Sequence, residues 1–80
     1  MAATKRQIEQ WFLEGKKNGY DRMIILCDTY DYTDFPDFYY DSNYHMFRLK
    51  EMEKVMEVYD LNGDIEHQLN LYRAYFPPNK

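Results

Sequence analysis

The sequence is poor in the residues that cross-link or interrupt very small proteins. Its 80 residues include one cysteine, three glycines and three prolines. A single cysteine excludes an internal disulfide, and a lone thiol in an apolar run behaves as a small core hydrophobe. We therefore interpret Cys27 as a buried, inert residue of a protein from a reducing compartment. A chain of this length is expected to form one domain, residues 1–80.

Long hydrophobic runs are also absent. The longest run, Met23–Cys27, falls far short of the ~18 apolar residues that span a membrane. The N-terminus has no apolar leader and continues directly into a helical pattern. These features predict a cytoplasmic protein that does not bind membranes, located in the host cytoplasm if a phage encodes it.

Basic residues are few and scattered. The chain has 10 Lys and Arg against 14 Asp and Glu, a formal net charge of −4. The only basic pairs are Lys5-Arg6 and Lys16-Lys17, near the two ends of one predicted helix. Because duplex binding requires a concentrated basic patch, we do not expect nucleic acid as a partner.

Hydrophobic periodicity predicts a helix near each end of the chain. Thr4 is a favourable N-cap for a helix over residues 5–18. One face of that helix is apolar and comprises Ile8, Trp11, Phe12 and Gly15. Asp64 is a favourable N-cap for a second helix, which Pro77 ends.

Three strands are predicted between the helices. Residues 23–27 form a continuous apolar run, typical of a central strand buried on both faces. Residues 38–40 return as a second strand, after a connecting loop over residues 31–37 that contains a proline. Residues 52–61 alternate in polarity and predict the third strand. A short helical turn is expected within residues 44–50.

These elements predict an α+β fold of two layers. A three-stranded, mostly antiparallel sheet carries the N- and C-terminal helices, in the order α-β-β-β-α. Alternation in the third strand places Val55 and Glu57 on the side of Tyr59, and Met56 and Val58 on the other side. Because the sheet has two edges and the core is small, we expect a homo-oligomer, a dimer or larger.

The most distinctive feature is a ladder of aspartates interleaved with aromatic residues. The ladder comprises Asp28, Asp31, Asp34 and Asp37, with Tyr30, Tyr32 and Phe35 between them. A calcium loop needs closer ligand spacing and a central glycine, so the pattern does not indicate calcium. Two interpretations remain open. One is a solvated loop with Asx turns, and the other is a recognition loop whose tyrosines stack on a base while carboxylates accept from ribose hydroxyls.

The predicted ligand-binding residues are Asp28, Tyr30, Asp31, Tyr32, Arg48 and Arg73. Asp28 is favoured among them because it follows the buried strand. The two arginines can bind phosphate oxygens, although each can equally pair with a nearby carboxylate. We predict no catalytic residue, no metal and no other cofactor. Neither His45 nor His67 is placed beside the cysteine, and no metal-ligand spacing occurs.

Three stretches together resemble a group of very short phage and bacterial proteins. They are residues 5–16 (KRQIEQWFLEGK), residues 27–36 (CDTYDYTDFP) and residues 55–69 (VMEVYDLNGDIEHQL). By type, the chain is also similar to small, acidic phage anti-defence proteins. Some of those proteins act as sponges that bind the nucleotide signal of an immune system and hold it without cleaving it.

The resemblance implies a non-enzymatic binding protein that sequesters a nucleotide-derived immune signalling molecule. The surplus of tyrosines fits this function, whereas the negative net charge fits an anionic ligand poorly. The alternative is an acidic inhibitor whose surface, from Asp28 to Asp41, imitates nucleic acid and covers a basic site on a host protein. A third and weaker candidate is a small hydrolase with a carboxylate base.

Overall fold

The chain folds into two helices and three antiparallel strands, and the computed structural model describes residues 3–73. The elements are helix α1 (Lys5–Lys17), strand β1 (Arg22–Asp28), strand β2 (Thr33–Tyr39), a 3₁₀ turn (Tyr44–Met46), strand β3 (Glu53–Asp60) and helix α2 (Ile65–Arg73). The strand order in the sheet is β2-β1-β3. This confirms the predicted α+β class and the order α-β-β-β-α. The predicted helix end at Pro77 lies outside the described residues.

Helix α1 is capped at both ends, and its N-cap is the one predicted from the sequence. The Thr4 Oγ1 atom accepts a hydrogen bond of 3.1 Å from the Gln7 N–H. At the other end, Gly19 adopts a left-handed conformation with φ of 84°. The Tyr20 N–H donates to the Gly15 carbonyl at 3.1 Å, which completes a Schellman motif.

The main core lies between the sheet and the helices. Its buried side chains are Ala3, Ile8, Phe12, Met23, Ile25, Tyr59, Leu61 and Leu69. Strand β1 is buried on both faces, as predicted, because Ile24 and Leu26 on the opposite face are each only 1% exposed.

Tyr44 and Phe47 lie on that opposite face. The ring of Tyr39, at the end of β2, contacts the rings of Tyr44 and Phe47, with centroid separations of 6.2 and 5.6 Å. The Arg22 guanidinium lies 5.5 Å from the centre of the Tyr44 ring. The 3₁₀ turn and Phe47 therefore cover part of the side of the sheet that the helices leave open.

The prediction of a loop over residues 31–37 is wrong. Residues Thr33–Tyr39 pair with β1 along its whole length, with Pro36 opposite Ile25. A proline is tolerated there because β2 is an edge strand, where one side of the backbone has no strand to bond. The connection between β1 and β2 is consequently only a short turn, residues 29–32.

The predicted faces of β3 are wrong for its first half. Ile25 pairs with Glu57 but the next residue, Leu26, pairs with Val55, so Met56 is the extra residue of a β-bulge. A bulge changes the phase of side-chain alternation. Val55 therefore shares a face with Val58 instead of with Tyr59.

Helix α2 covers the outer edge of β3. The Tyr72 hydroxyl accepts from the Val58 N–H at 3.2 Å and donates to the Val58 carbonyl at 2.8 Å. The Gln68 side-chain amide pairs in the same way with the backbone of Asp60. The homo-oligomer was predicted because the sheet has two edges, and α2 of the same chain covers one of them. The homo-oligomer stays a prediction.

No helix among residues 3–73 is both long enough and apolar enough to cross a membrane.

Candidate functional site

Two aspartates of the ladder shape the β1–β2 turn. The Asp28 Oδ1 atom accepts from the Tyr30 N–H at 2.8 Å, and the Asp31 Oδ1 atom accepts from the Thr33 N–H at 3.0 Å. Both are Asx-type contacts that hold a short polar turn. Tyr32, between Asp31 and Thr33, takes a positive φ of 58°. One oxygen of each carboxylate therefore has a structural role in the turn.

The turn contacts the residues that lead into β3, and a cleft lies between the two. The Thr29 N–H donates to the Met52 carbonyl at 2.8 Å. This contact brings residues 50–53 beside the end of β1. The cleft has a volume of about 500 Å³ and is open to solvent; its lining residues are Asp28, Tyr30, Lys50, Glu51, Met52 and Glu53.

The cleft lining is mainly acidic, with an aromatic and an apolar side chain. Three of its six residues carry carboxylates and one carries an ammonium group. Glu53 is partly engaged, because its Oε1 atom accepts from the Lys50 N–H at 3.0 Å. Tyr30 is 80% exposed and Met52 is 51% exposed. Carboxylates beside an exposed tyrosine ring suit a cationic group, which can bond to the oxygens and lie over the ring.

The structure brings only part of the predicted site together. Asp28 and Tyr30 line the cleft, whereas Asp31 and Tyr32 belong to the same turn but are not among the lining residues. The Arg48 guanidinium donates to the carbonyls of His45 and Phe47 in its own segment, at 3.0 and 2.8 Å. The side chain of Arg73 lies outside the described residues.

The other two aspartates of the ladder face inward and have structural partners. Asp34 is 9% exposed, and its Oδ2 atom accepts from the Ala3 N–H at 2.9 Å. It also lies beside Cys27, whose thiol pKa is raised by burial and then by its hydrogen bond with Asp34. These contacts tie the start of the chain to the sheet.

Asp37 lies on the face that Tyr44 and Phe47 partly cover. Its Oδ2 atom accepts from the Tyr39 hydroxyl at 2.8 Å. Burial and this carboxylate raise the pKa of Tyr39 to about 12, with Glu53 contributing further. Asp37 thus stabilises the protonated phenol beside Tyr44 and Phe47.

Four residues of the cleft were not predicted from the sequence: Lys50, Glu51, Met52 and Glu53. The signal that could have found them is antiparallel pairing, because Asp28 lies opposite Glu53 when β1 and β3 are neighbours. Their position depended on the order of strands in the sheet, which the hydrophobic pattern alone does not specify.

No group of three or more His, Cys, Asp or Glu side chains in the described part of the chain is arranged to hold a metal ion. Comparisons with protein-family models, curated proteins and solved structures find no match for this chain.

Proposed function

We propose that the protein is a non-catalytic binding protein whose cleft takes a basic group of a partner protein. The observation that carries this proposal is the composition of the cleft, three carboxylates with one ammonium group. A lysine or arginine side chain entering it would gain charged hydrogen bonds and contact with the exposed Tyr30 ring.

The surroundings of the cleft support the same class of ligand. Tyr32, on the adjacent turn, is 68% exposed. Exposed tyrosines held on a short, hydrogen-bonded turn offer rigid contact area at low entropic cost. The surface therefore combines acidic groups for orientation with aromatic groups for contact area.

A second candidate is the sequestration of a nucleotide-derived immune signal. It is favoured by the presence of Tyr30 and Lys50 in the same cleft, since a base can stack on the phenol while the ammonium group binds a phosphate. The three carboxylates oppose an anionic ligand, which is why we place this candidate second. Phage origin and an anti-defence role belong to this candidate.

The test compares Asp28→Asn with Asp31→Asn. Asparagine keeps the oxygen that accepts in each Asx-type contact, so both variants retain the turn and lose one charge. The probe is a short arginine-rich peptide, measured by calorimetry against a glutamate-rich peptide of equal length. We expect Asp28→Asn to weaken binding by about 1–3 kcal/mol, and Asp31→Asn to have a much smaller effect because Asp31 is outside the cleft.

Salt and a nucleotide probe separate the two candidates. Affinity for the arginine-rich peptide should fall as salt rises, because the contacts are charged and exposed. Binding of a cyclic dinucleotide that Lys50→Gln abolishes and Asp28→Asn strengthens would favour the second candidate. If neither probe binds, the assignment of this cleft is wrong. If a probe disappears from solution and is not recovered after heat denaturation, the protein is catalytic, which contradicts the proposal.

A further inference from the structure

The outer edge of β3 is bonded by side chains where a sheet would normally place another strand. The Gln68 Oε1 atom accepts from the Asp60 N–H at 2.6 Å, and its Nε2 atom donates to the Asp60 carbonyl at 2.9 Å. A carboxamide has one donor side and one acceptor side, like a peptide group. Gln68 therefore takes the place of a residue in a neighbouring strand.

Tyr72 does the same for Val58, two residues earlier in β3. Its hydroxyl both accepts from the Val58 N–H and donates to the Val58 carbonyl. Residues two apart in a strand direct their backbone groups to the same side. Gln68 and Tyr72 are four apart in α2 and so share one helix face. One face of α2 thus satisfies two successive outward-facing residues of the β3 edge.

The opposite edge of the sheet, formed by β2, is protected from pairing with another strand in a different way. Along each strand, successive residues direct their backbone N–H and C=O groups to opposite sides, and those of Val58 and Asp60 point away from β1. The pairing of β1 with β3 and with β2 then places the backbone nitrogen of Pro36 on the outer side of β2. Since proline has no N–H, that edge lacks a donor at its centre and is a poor template for a further strand. Strand addition to this sheet is consequently favoured at β3.

We infer that α2 is an autoinhibitory cover that keeps the β3 edge from pairing with β3 of a second copy. A two-fold axis pairs a strand with itself, so one exposed edge suffices for an antiparallel homodimer. Val55 and Met56, beside the covered residues, are 39% and 41% exposed, and they supply apolar contact for such a pair. While α2 is in place, the side chains of Gln68 and Tyr72 bond to the backbone groups that this pairing needs.

Helix α2 has fewer fully buried side chains than α1. Among its described residues only Leu69 is fully buried, and Ile65 and Tyr72 are partly buried against the core. Helix α1 has both Ile8 and Phe12 in the core. Elements with little buried apolar surface open at lower free energy than the rest of a domain. Helix α2 can therefore leave the edge while β1, β2 and α1 stay packed.

The experiment uses Gln68→Ala combined with Tyr72→Phe, with Asn70→Ala on the exposed side of α2 as the matched control. At a concentration where the double variant is still monomeric, we expect amide exchange at Val58 and Asp60 to become about tenfold faster or more, while exchange at Tyr59, which faces β1, stays unchanged. Light scattering should report a concentration-dependent doubling of mass relative to the wild type and the control. Adding Val58→Pro removes the outward N–H and should restore the original mass.

Two results would overturn the inference. One is fast exchange at Val58 and Asp60 with no increase in mass, since an open edge would then fail to pair. The other is unchanged exchange at Val58 in the single variant Tyr72→Phe, which removes one oxygen atom and keeps the helix packing. This single variant also decides the question if the double variant does not fold.

Discussion

The ring of Phe38 occupies the space that a side chain at Gly15 would need. Its Cε1 and Cδ1 atoms lie 2.5 and 2.7 Å from the position of an ideal Cβ atom on Gly15. The same ring stacks on Tyr20, with centroids 5.3 Å apart. The absence of a side chain at Gly15 therefore lets α1 lie close against β2.

Replacing this glycine with alanine should destabilise the fold by overpacking. We expect Gly15→Ala to lower the free energy of unfolding by about 1–3 kcal/mol, the usual cost of inserting an extra carbon into a packed core. Urea denaturation measures the difference. Phe38→Leu in the same background should recover part of the loss, and Glu14→Ala on the exposed face should change stability by less than about 0.5 kcal/mol. Equal stability of Gly15→Ala and the wild type would contradict the close approach.

Gly19 should be sensitive for a different reason. No atom lies within 4 Å of a Cβ built there, but its φ is 84°. We expect Gly19→Ala to cost about 1–2 kcal/mol through backbone strain alone, and Gly19→Asn to cost less because asparagine tolerates the left-handed region. Thermal melting of the two variants checks the order. A Gly19→Ala variant as stable as the wild type would show that the helix end can adopt another conformation.

Cys27 should react slowly in the folded protein. It is 8% exposed, and burial followed by the Asp34 hydrogen bond raises its thiol pKa. Both effects lower the fraction of reactive thiolate near neutral pH. Labelling with a maleimide should therefore be slow in buffer and fast in urea, and the urea sample serves as the control. Rapid labelling without denaturant would be inconsistent with this environment.

Tyr39 should make stability depend on pH in the alkaline range. Its pKa is raised from about 10 to about 12 in the folded protein, so the folded chain holds the phenol proton more tightly than the unfolded chain does. Below pH 10 both states are protonated and Tyr39 adds no pH dependence. Between pH 10 and pH 12 the unfolded chain loses this proton first, and stability falls.

The comparison with Tyr39→Phe isolates this effect. Urea midpoints of the wild type should fall more steeply than those of the variant between pH 10 and pH 12, whereas the two should run parallel below pH 10. Tyr32→Phe is a suitable control because Tyr32 is 68% exposed. Parallel curves throughout the alkaline range would refute the raised pKa.

The elements with strong local signals were predictable, and those that depend on neighbours were not. Helix α1 and strand β1 follow from a cap, an apolar face and a buried run. Strand β2 was mistaken for a loop because Pro36 breaks strands in general, and only its edge position makes the proline acceptable. The cleft was half predicted, since Asp28 ends the buried strand β1, whereas Lys50 reaches it only through the pairing of β1 with β3.

The bulge at Met56 has a consequence for changes in chain length. Leu26 already pairs with Val55, and Ile25 already pairs with Glu57, as they would in an uninterrupted ladder without Met56. Deleting Met56 therefore preserves every β1–β3 pair and leaves the pattern Val55, Glu57, Val58, Tyr59 in regular alternation. A deletion of Val55 has a similar effect, because Met56 then takes its place opposite Leu26. A deletion of Val58 instead brings Glu57 opposite Ile24 and turns its side chain to the other face of the sheet. The bulge is thus the place in β3 where the chain can shorten by one residue at the lowest cost.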